Sequence, residues 1–328
     1  MFLTGGTGFL GSAVARLLVE RGDSVKALVR DPSRAGRLRE LGCEVVEGDL
    51  SDEGALVAAL RGCTALVHGA GLYAVGVPDS RRDDLVDTNV RGTERMLGAA
   101  LTAGIHKAVH VSSVVVFGDT AGRVVDETWT RDPALPWSSV YEETKAVAHG
   151  RAQDLSARGL PLSIVQPGLV YGPGDPSDVG QLLQHLLDGR LNALPFPELG
   201  VVPVHRDDAA EGVVAVLDKG VPGESYVLAG DPVRLRDLVA ALAELSGRRP
   251  PRFTVPSALL KALSPLGAIA GPALGLPPNL AELVRCSHGV TFWASSDKAA
   301  RELGWHPRSL SDGLRSLLAP ATSGASVS

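Results

Sequence analysis

The feature that most constrains this chain is the run Thr4-Gly-Gly-Thr-Gly-Phe-Leu-Gly11, which leaves a short apolar segment and opens a helical pattern. Gly5, Gly8 and Gly11 stand three residues apart. Glycine lets the backbone turn tightly there and come close to a pyrophosphate, whose charge is met by the N-terminus of the helix. In a chain with 38 glycines such a triplet is also what an ordinary turn looks like. Context separates the two readings. Phe2–Thr4 reads as a strand, and Phe9–Arg21 has the apolar spacing of a helix that stops at Gly22. A dinucleotide lying against Gly5, Gly8, Phe9, Leu10 and Gly11 is the expectation. The first strand is shorter than the usual run of about five or six residues, which leaves open where the natural chain begins.

The alternation continues beyond that unit. Ser24–Arg30, Glu44–Glu47, Ala65–His68, Lys107–Ser112 and Leu162–Gln166 are short apolar or β-branched runs. Helical patterns fall between them at Glu53–Leu60, Asp84–Ala103 and Tyr141–Arg158. Strands separated by helices are βαβ units, so the fold class is α/β: a doubly wound parallel (Rossmann) sheet with a smaller C-terminal substrate-binding lobe. After Pro167 the chain becomes rich in proline and glycine. Helices are expected near Val179–Asp188, Asp208–Asp218 (capped by Asp207 or Asp208), Leu235–Leu245 and Ser296–Leu303, with a strand at Tyr226–Leu228. The expected division gives 1–166 to dinucleotide binding, with 200–230 and 295–318 returning to it. Segments 167–199 and 231–294 form the lobe, and 320–328 is a frayed tail.

Composition excludes several classes. With 45% hydrophobic and 21% charged residues the chain can bury a large core, which rules out disorder. A net charge of −5 and the lack of a basic block argue against nucleic acid as a partner. Cys43, Cys63 and Cys286 are scattered with no CxxC pair, as expected of reduced thiols in a cytoplasmic protein. The eight histidines show no ligand spacing, so no metal site is expected, and no GxSxG elbow supports a serine hydrolase. Met1-Phe2-Leu3-Thr4 does not read as a signal peptide. The most apolar stretch, Ser257–Leu276, carries Lys261, two prolines and three glycines, too broken for a bilayer span of about 20 apolar residues.

Two further motifs carry chemistry. The second strand ends in Arg30, followed by Asp31 and, nearby, Arg34. An arginine there suits the 2′-phosphate of NADP, whereas an acidic residue takes the ribose hydroxyl of NAD. NADP is favoured, and Asp31 keeps NAD open. Asp49 with Leu50, in Glu-Gly-Asp-Leu, would lie under the adenine or simply cap the next helix. In Tyr141-Glu-Glu-Thr-Lys145 the i, i+4 spacing puts a phenol and an ammonium on one helix face. The positive charge favours the phenolate and makes the tyrosine a better proton donor and acceptor. Ser112 and Ser113 end the fifth strand, where ligands bind in open α/β sheets. A hydroxyl there can donate to a substrate carbonyl as hydride arrives, or merely cap the strand end. His205, before Asp207 and Asp208, either lines the cleft or packs beside a capped helix. Tyr73 and several loop aromatics either shape a pocket or cover the core.

These motifs occur in order with His68-Gly-Ala-Gly71, Asp87-Thr-Asn-Val-Arg-Gly-Thr93, Val111-Ser-Ser-Val-Val-Val-Phe-Gly118 and Gln166-Pro-Gly-Leu-Val-Tyr-Gly-Pro-Gly-Asp175. As a set they resemble the extended short-chain dehydrogenase/reductases, the NAD-dependent epimerase/dehydratase type, over nearly the whole chain. The resemblance implies Tyr141 as acid/base, Lys145 as holder of the nicotinamide ribose and Ser113, five residues before Gly118, as the carbonyl-orienting serine. Ala70, Gly71 and Pro167 would border the cofactor, and Asn89 would be structural. A homodimer through helices 84–103 and 141–158 is also implied. The nucleotide-sugar dehydratases carry acidic residues where this chain has Val114 and Val115, which argues against dehydration. The Arg-Asp-Pro run and the apolar second lobe are more similar to the dihydroflavonol reductase and 3β-hydroxysteroid dehydrogenase branch.

The expectation is a reductase for a fairly apolar carbonyl or alcohol, with Tyr73, Ser113, Tyr141 and His205 facing the substrate and segment 255–280 over the cleft. The alternative is a nucleotide-sugar epimerase with tightly bound NAD, kept alive by Arg190, Arg206, Arg234 and Arg252.

Overall fold

A computed structural model describes residues 1–256, Leu260, Ala262 and 278–318. Its centre is a parallel sheet of seven strands: β1 (Phe2–Thr4), β2 (Lys26–Val29), β3 (Glu44–Glu47), β4 (Ala65–His68), β5 (Lys107–Val111), β6 (Leu162–Pro167) and β7 (Ser225–Leu228). The spatial order is β7-β6-β5-β4-β1-β2-β3, and every neighbouring pair is parallel. The chain runs outward from β1 to β3, then crosses back to place β4 on the other side of β1. That reversal opens a crevice at the carboxyl ends of β1 and β4. The expected α/β class and sheet are borne out.

Strand side chains alternate between two cores, as a pleat requires. Leu3, Ala27, Val29, Val67, Val109 and Val165 face one side. There they meet Val14 and Leu18 of α1 (Phe9–Glu20) and the later helix Arg206–Lys219. Phe2, Leu28, Leu66, Ala108 and Ile164 face the other, under α2 (Glu53–Leu60), α3 (Gly92–Thr102) and α4 (Val140–Ala157). Both faces are covered, so the strands are apolar throughout and not alternating. The brevity of β1 is offset by position: Phe2, Leu3 and Thr4 are all 0% exposed between two partners. Truncating a buried leucine such as Leu66 here would cost about 2–5 kcal/mol.

The helix expected over Asp84–Ala103 is interrupted. A short α-turn, Arg82–Leu85, passes into a π-helical stretch, Val86–Arg91, before α3 begins. The wider π turn carries Asn89, which is 2% exposed. Hydropathy does not mark such a turn, because the extra residue shifts the helical repeat over only one short stretch.

Beyond β6 come α5 (Asp178–Leu187), α6 (Arg206–Lys219), α7 (Leu235–Ser246), α8 (Leu280–Ser287), α9 (Asp297–Leu303) and α10 (Leu310–Ser316). Helix α6 corrects the expected cap: His205 Nδ1, not an aspartate, accepts the Asp207 N–H at 3.2 Å. Asp208 is buried and paired with Arg308 at 2.6 Å. Tyr171, Leu183, Leu186, Leu238 and Leu242 build a separate core, which Leu314 of α10 joins. The end of the chain therefore divides: Ala299 and Leu303 of α9 pack against the sheet-side core and α10 against α7. The expectation that all of 295–318 returns to the sheet is corrected in that respect, since Leu310, Leu314 and Leu317 follow the α7 core. Apart from Leu260 and Ala262, the Ser257–Leu276 stretch lies outside the described residues, as does the expected tail 320–328. No helix among the described residues is long and apolar enough to cross a membrane.

Candidate active site

The glycine loop works by the absence of side chains. Gly5 has φ +77°, and a Cβ there would lie 2.6 Å from the Gly69 carbonyl carbon. A Cβ at Gly11 would stand 2.1 Å from the Gly5 oxygen. Alanine fits neither position without moving backbone. The Gly8 N–H donates to the Gly5 oxygen at 2.9 Å, tightening the turn into α1. Behind it, Thr4 Oγ1 lies 2.7 Å from His68 Nδ1 and accepts the Ala70 N–H at 3.2 Å. His68 Nε2 meets Thr93 Oγ1 at 3.1 Å. Thus β1, the loop after β4 and α3 are tied together through one buried imidazole.

In front of this loop lies a cavity of about 320 Å³. Gly5, Gly8, Arg30, Asp49, Leu50, Ala70 and Gly71 all line it, so seven expected cofactor residues converge in one place. Thr7, Leu28, Val29 and Arg34 complete much of the wall. Its mixture of backbone, aliphatic side chains and two guanidinium groups fits the adenosine and phosphate part of a dinucleotide. Phe9, Leu10 and Gly11 are not in its wall; they form the first turn of α1, where the Phe9 ring lies 5.1 Å from the Arg206 guanidinium. Pro167 ends β6, buried beside Leu228. Asp31 is also absent from the wall; its Oδ1 accepts the N–H and hydroxyl of Ser33 at 3.0 and 2.6 Å. Those bonds hold the carboxyl below its usual range. Asp49 is similarly turned onto Ser51 while still bordering the cavity.

Across the crevice, Tyr141 and Lys145 share a face of α4, whose N-terminus is capped by Ser139 Oγ accepting the Glu142 N–H at 3.1 Å. Ser113 lies beside Tyr141. Burial pushes the phenol up to about 12, and the neighbouring Ser113 hydroxyl opposes that shift. Ser113 Oγ also accepts the Val115 N–H at 3.3 Å, so the serine both caps a turn and faces the tyrosine. Lys145 is 8% exposed and donates to the Val111 carbonyl at 2.9 Å; burial draws its ammonium down to about 8. At neutral pH the lysine remains charged and the tyrosine protonated. Such a pair can hand over a phenolic proton while a nearby positive charge steadies the phenolate left behind.

Tyr73 completes the cluster, its ring edge-on to Tyr141 with centroids 5.0 Å apart. His205 stands elsewhere: its ring packs on Tyr171 at 5.7 Å and meets Ser316 Oγ at 3.1 Å as well as capping α6. The structure thus gives it packing and capping partners. Two side chains that bear on the site were not among the expected site residues. Asn89 brackets the loop after Gly71, accepting the Leu72 N–H at 2.7 Å and donating to the Leu72 carbonyl at 3.0 Å and Thr144 Oγ1 at 3.2 Å. Glu282, from α8, reaches the start of α4. The Asn89 motif was visible only as a family pattern, and Glu282 had no signal at all.

A doubly wound parallel sheet with a glycine loop between its first strand and first helix defines a Rossmann-type dinucleotide enzyme. The chain belongs to the NAD dependent epimerase/dehydratase family, whose model matches residues 1–229, within the NAD(P)-dependent extended short-chain dehydrogenase/reductases. It is 35% identical to sterol demethylase protein B of Methylococcus capsulatus, over 80% of this chain and 79% of that protein. It is 32% identical to the 4-hydroxy-2-methyl-3-oxo-4-farnesyl-3,4-dihydroquinoline-1-oxide ketoreductase of Stigmatella aurantiaca, covering 94% and 92%. A 3 beta-hydroxysteroid dehydrogenase/Delta 5-->4-isomerase of Mycobacterium tuberculosis matches at 27% over 94% and 86%. Among solved structures, that of gox2253 superposes with a TM-score of 0.81 at 34% identity, covering 97% of this chain and 96% of that one.

Proposed function

We propose that this protein is an NADPH-dependent reductase that interconverts a carbonyl and an alcohol on a fairly apolar small molecule. The observation that carries the reading is Ser113 beside Tyr141, with the buried Lys145 one helical turn further along α4. A reduced nicotinamide bound in the crevice would supply the hydride for the carbonyl carbon. Tyr141 donates its proton to the carbonyl oxygen, Ser113 orients that oxygen, and Lys145 holds the nicotinamide ribose while its charge favours the phenolate. Val114 is buried and Val115 half-buried where a dehydratase needs carboxyl groups, which supports simple hydride and proton transfer.

NADPH is preferred to NADH in this reading because Arg30 and Arg34 line the cavity and Asp31 does not. Residues 1–166 with 200–230 and α9 hold the dinucleotide, and 167–199, 231–256, 278–294 and α10 close the substrate side. The apolar substrate class is supported by relatives named for a sterol and a farnesylated ketone. The arginines that would favour a nucleotide diphosphate have other engagements. Arg190 pairs with Asp188 at 3.7 Å, Arg206 with Asp207 at 3.3 Å, and Arg234 lies 4.5 Å over the Trp293 ring; Arg252 is exposed.

The test is a titration with NADPH and NADH, followed by the absorbance of the reduced nicotinamide against a panel of apolar ketones and aldehydes. Consumption with one substrate class, and tighter binding of NADPH, is the expected result. Tight binding of NAD with no net consumption would overturn the reading in favour of epimerisation.

A further inference from the structure

Three carboxylates are almost wholly buried among the described residues, and they are not treated alike. Glu142 faces Arg131 at 3.3 Å and Asp208 faces Arg308 at 2.6 Å. Glu282, 1% exposed, has no cation within 4 Å among the described residues. A carboxylate taken out of water without a counter-charge must be met by strong hydrogen-bond donors. Glu282 meets two, both backbone: Oε2 accepts the Gly76 N–H at 3.0 Å and Oε1 accepts the Val140 N–H at 2.7 Å.

Those partners lie on either side of the reacting tyrosine. Val140 is the first residue of α4 and precedes Tyr141 in the chain. Gly76 ends the loop that carries Tyr73, and it is gripped twice, since its carbonyl also accepts the Asn279 N–H at 2.9 Å. Asn279 Oδ1 in turn accepts the Glu282 N–H at 3.1 Å, fixing the first turn of α8 on which the glutamate stands. At the other end of the same loop Asn89 holds both backbone groups of Leu72 and touches Thr144 of α4. The segment 72–76 is therefore pinned at both ends, and each pin also contacts the tyrosine-bearing helix. Between the pins Tyr73 lies edge-on to Tyr141.

We infer that Glu282 is a positioning residue for the proton-transfer step: it clamps the Tyr73 loop and the start of α4 together, and so sets where the Tyr141 hydroxyl stands relative to a bound carbonyl. The inference rests on the reductase reading for its kinetic consequence and on the hydrogen bonds alone for its structural one. Glutamine cannot replace the carboxylate fully, because one of its two head atoms is a donor that would face a backbone N–H. An error of about 1 Å at a reacting group can cost about 100-fold in rate.

The test uses the full chain with Glu282→Gln, carrying 3-fluorotyrosine in place of its four tyrosines. Fluorine resonances of Tyr73 and Tyr141 are assigned through their phenylalanine variants. Expected are joint shifts of those two signals with Tyr171 and Tyr226 unmoved, an NADPH dissociation constant within about twofold of wild type, and a kcat about 10- to 100-fold lower with the best carbonyl of the panel. A second variant, Val140→Pro, removes only the donor on α4. Proline is tolerated at the first helical position, and Ser139 before it already has φ −150° and ψ 160°. It is expected to reproduce the kcat loss with Glu282 still in place, and it decides the matter if Glu282→Gln does not fold. Unchanged fluorine signals and kcat in a folded variant would overturn the inference. If wild type consumes no NADPH with any carbonyl, the reductase reading falls, and the fluorine signals still decide whether Glu282 positions the two tyrosines.

Discussion

The two ends of the crevice use side chains in opposite ways. At the glycine loop the site exists because side chains are missing: Gly5 and Gly11 let three stretches of backbone approach to distances that any Cβ would block. At the tyrosine end it exists because polar side chains are buried. Burial pushes the Tyr141 phenol up, draws the Lys145 ammonium down and keeps His68, His110 and His149 neutral. A backbone cradle tolerates many dinucleotides and is set by sterics. A buried proton-transfer group is set by electrostatics and depends on what surrounds it. The first is legible in a local motif, and the second is not.

The largest expected effect breaks the chemical end alone. Tyr141→Phe should lower kcat by about 10²–10⁴-fold and leave the NADPH dissociation constant unchanged in a fluorescence titration. Equal loss of binding would mean that the two ends are not separable. The same end should show in pH. Because burial holds Lys145 near 8, kcat should fall as pH rises through about 8. Lys145→Met should lose that limb of the profile.

Stability should respond to acid through the histidines next to this end. His68 is drawn down to about 3 and His149 to about 4 by burial, and His110, with neither ring nitrogen hydrogen-bonded, lies well below its ordinary 6.5. In the unfolded chain they take up protons below about 6.5, while the folded chain resists. Unfolding free energy should therefore drop as pH falls from about 6.5 towards 4, by up to about 1.4 kcal/mol per pH unit for each histidine. Urea titrations at pH 7 and pH 5 measure the difference. His110→Phe should flatten the slope.

At the cradle the expected effects are steric and smaller. Gly11→Ala forces a methyl against the Gly5 carbonyl and should cost about 1–3 kcal/mol or more, seen as a lower melting temperature with weakened NADPH binding. Arg30→Ala removes the guanidinium proposed to meet the 2′-phosphate, a charged contact worth about 1.5–3 kcal/mol. It should narrow the NADPH over NADH preference by about tenfold or more without changing kcat. An unchanged preference would remove Arg30 from the phosphate site. As a baseline, Arg16→Ala breaks the exposed i, i+4 pair with Glu20 and should change stability by less than about 1 kcal/mol.

The sequence by itself determined the sheet, the glycine turn and the residue types of the site. Apolar runs such as Ala65–His68 and Leu162–Gln166 belong to strands covered on both faces, and Tyr141 and Lys145 share a helix face by spacing alone. Those are local properties, carried by backbone preference and periodicity. Only the tertiary structure decided the rest. It joined Asp31 to Ser33, made His205 the cap of α6, and wound Val86–Arg91 into a π turn around Asn89. It also brought Glu282 to a backbone amide 142 residues earlier, beside Tyr141. Hydrogen-bond partners and burial depend on chain segments far apart in sequence, and no local pattern encodes which distant donor will meet a buried charge.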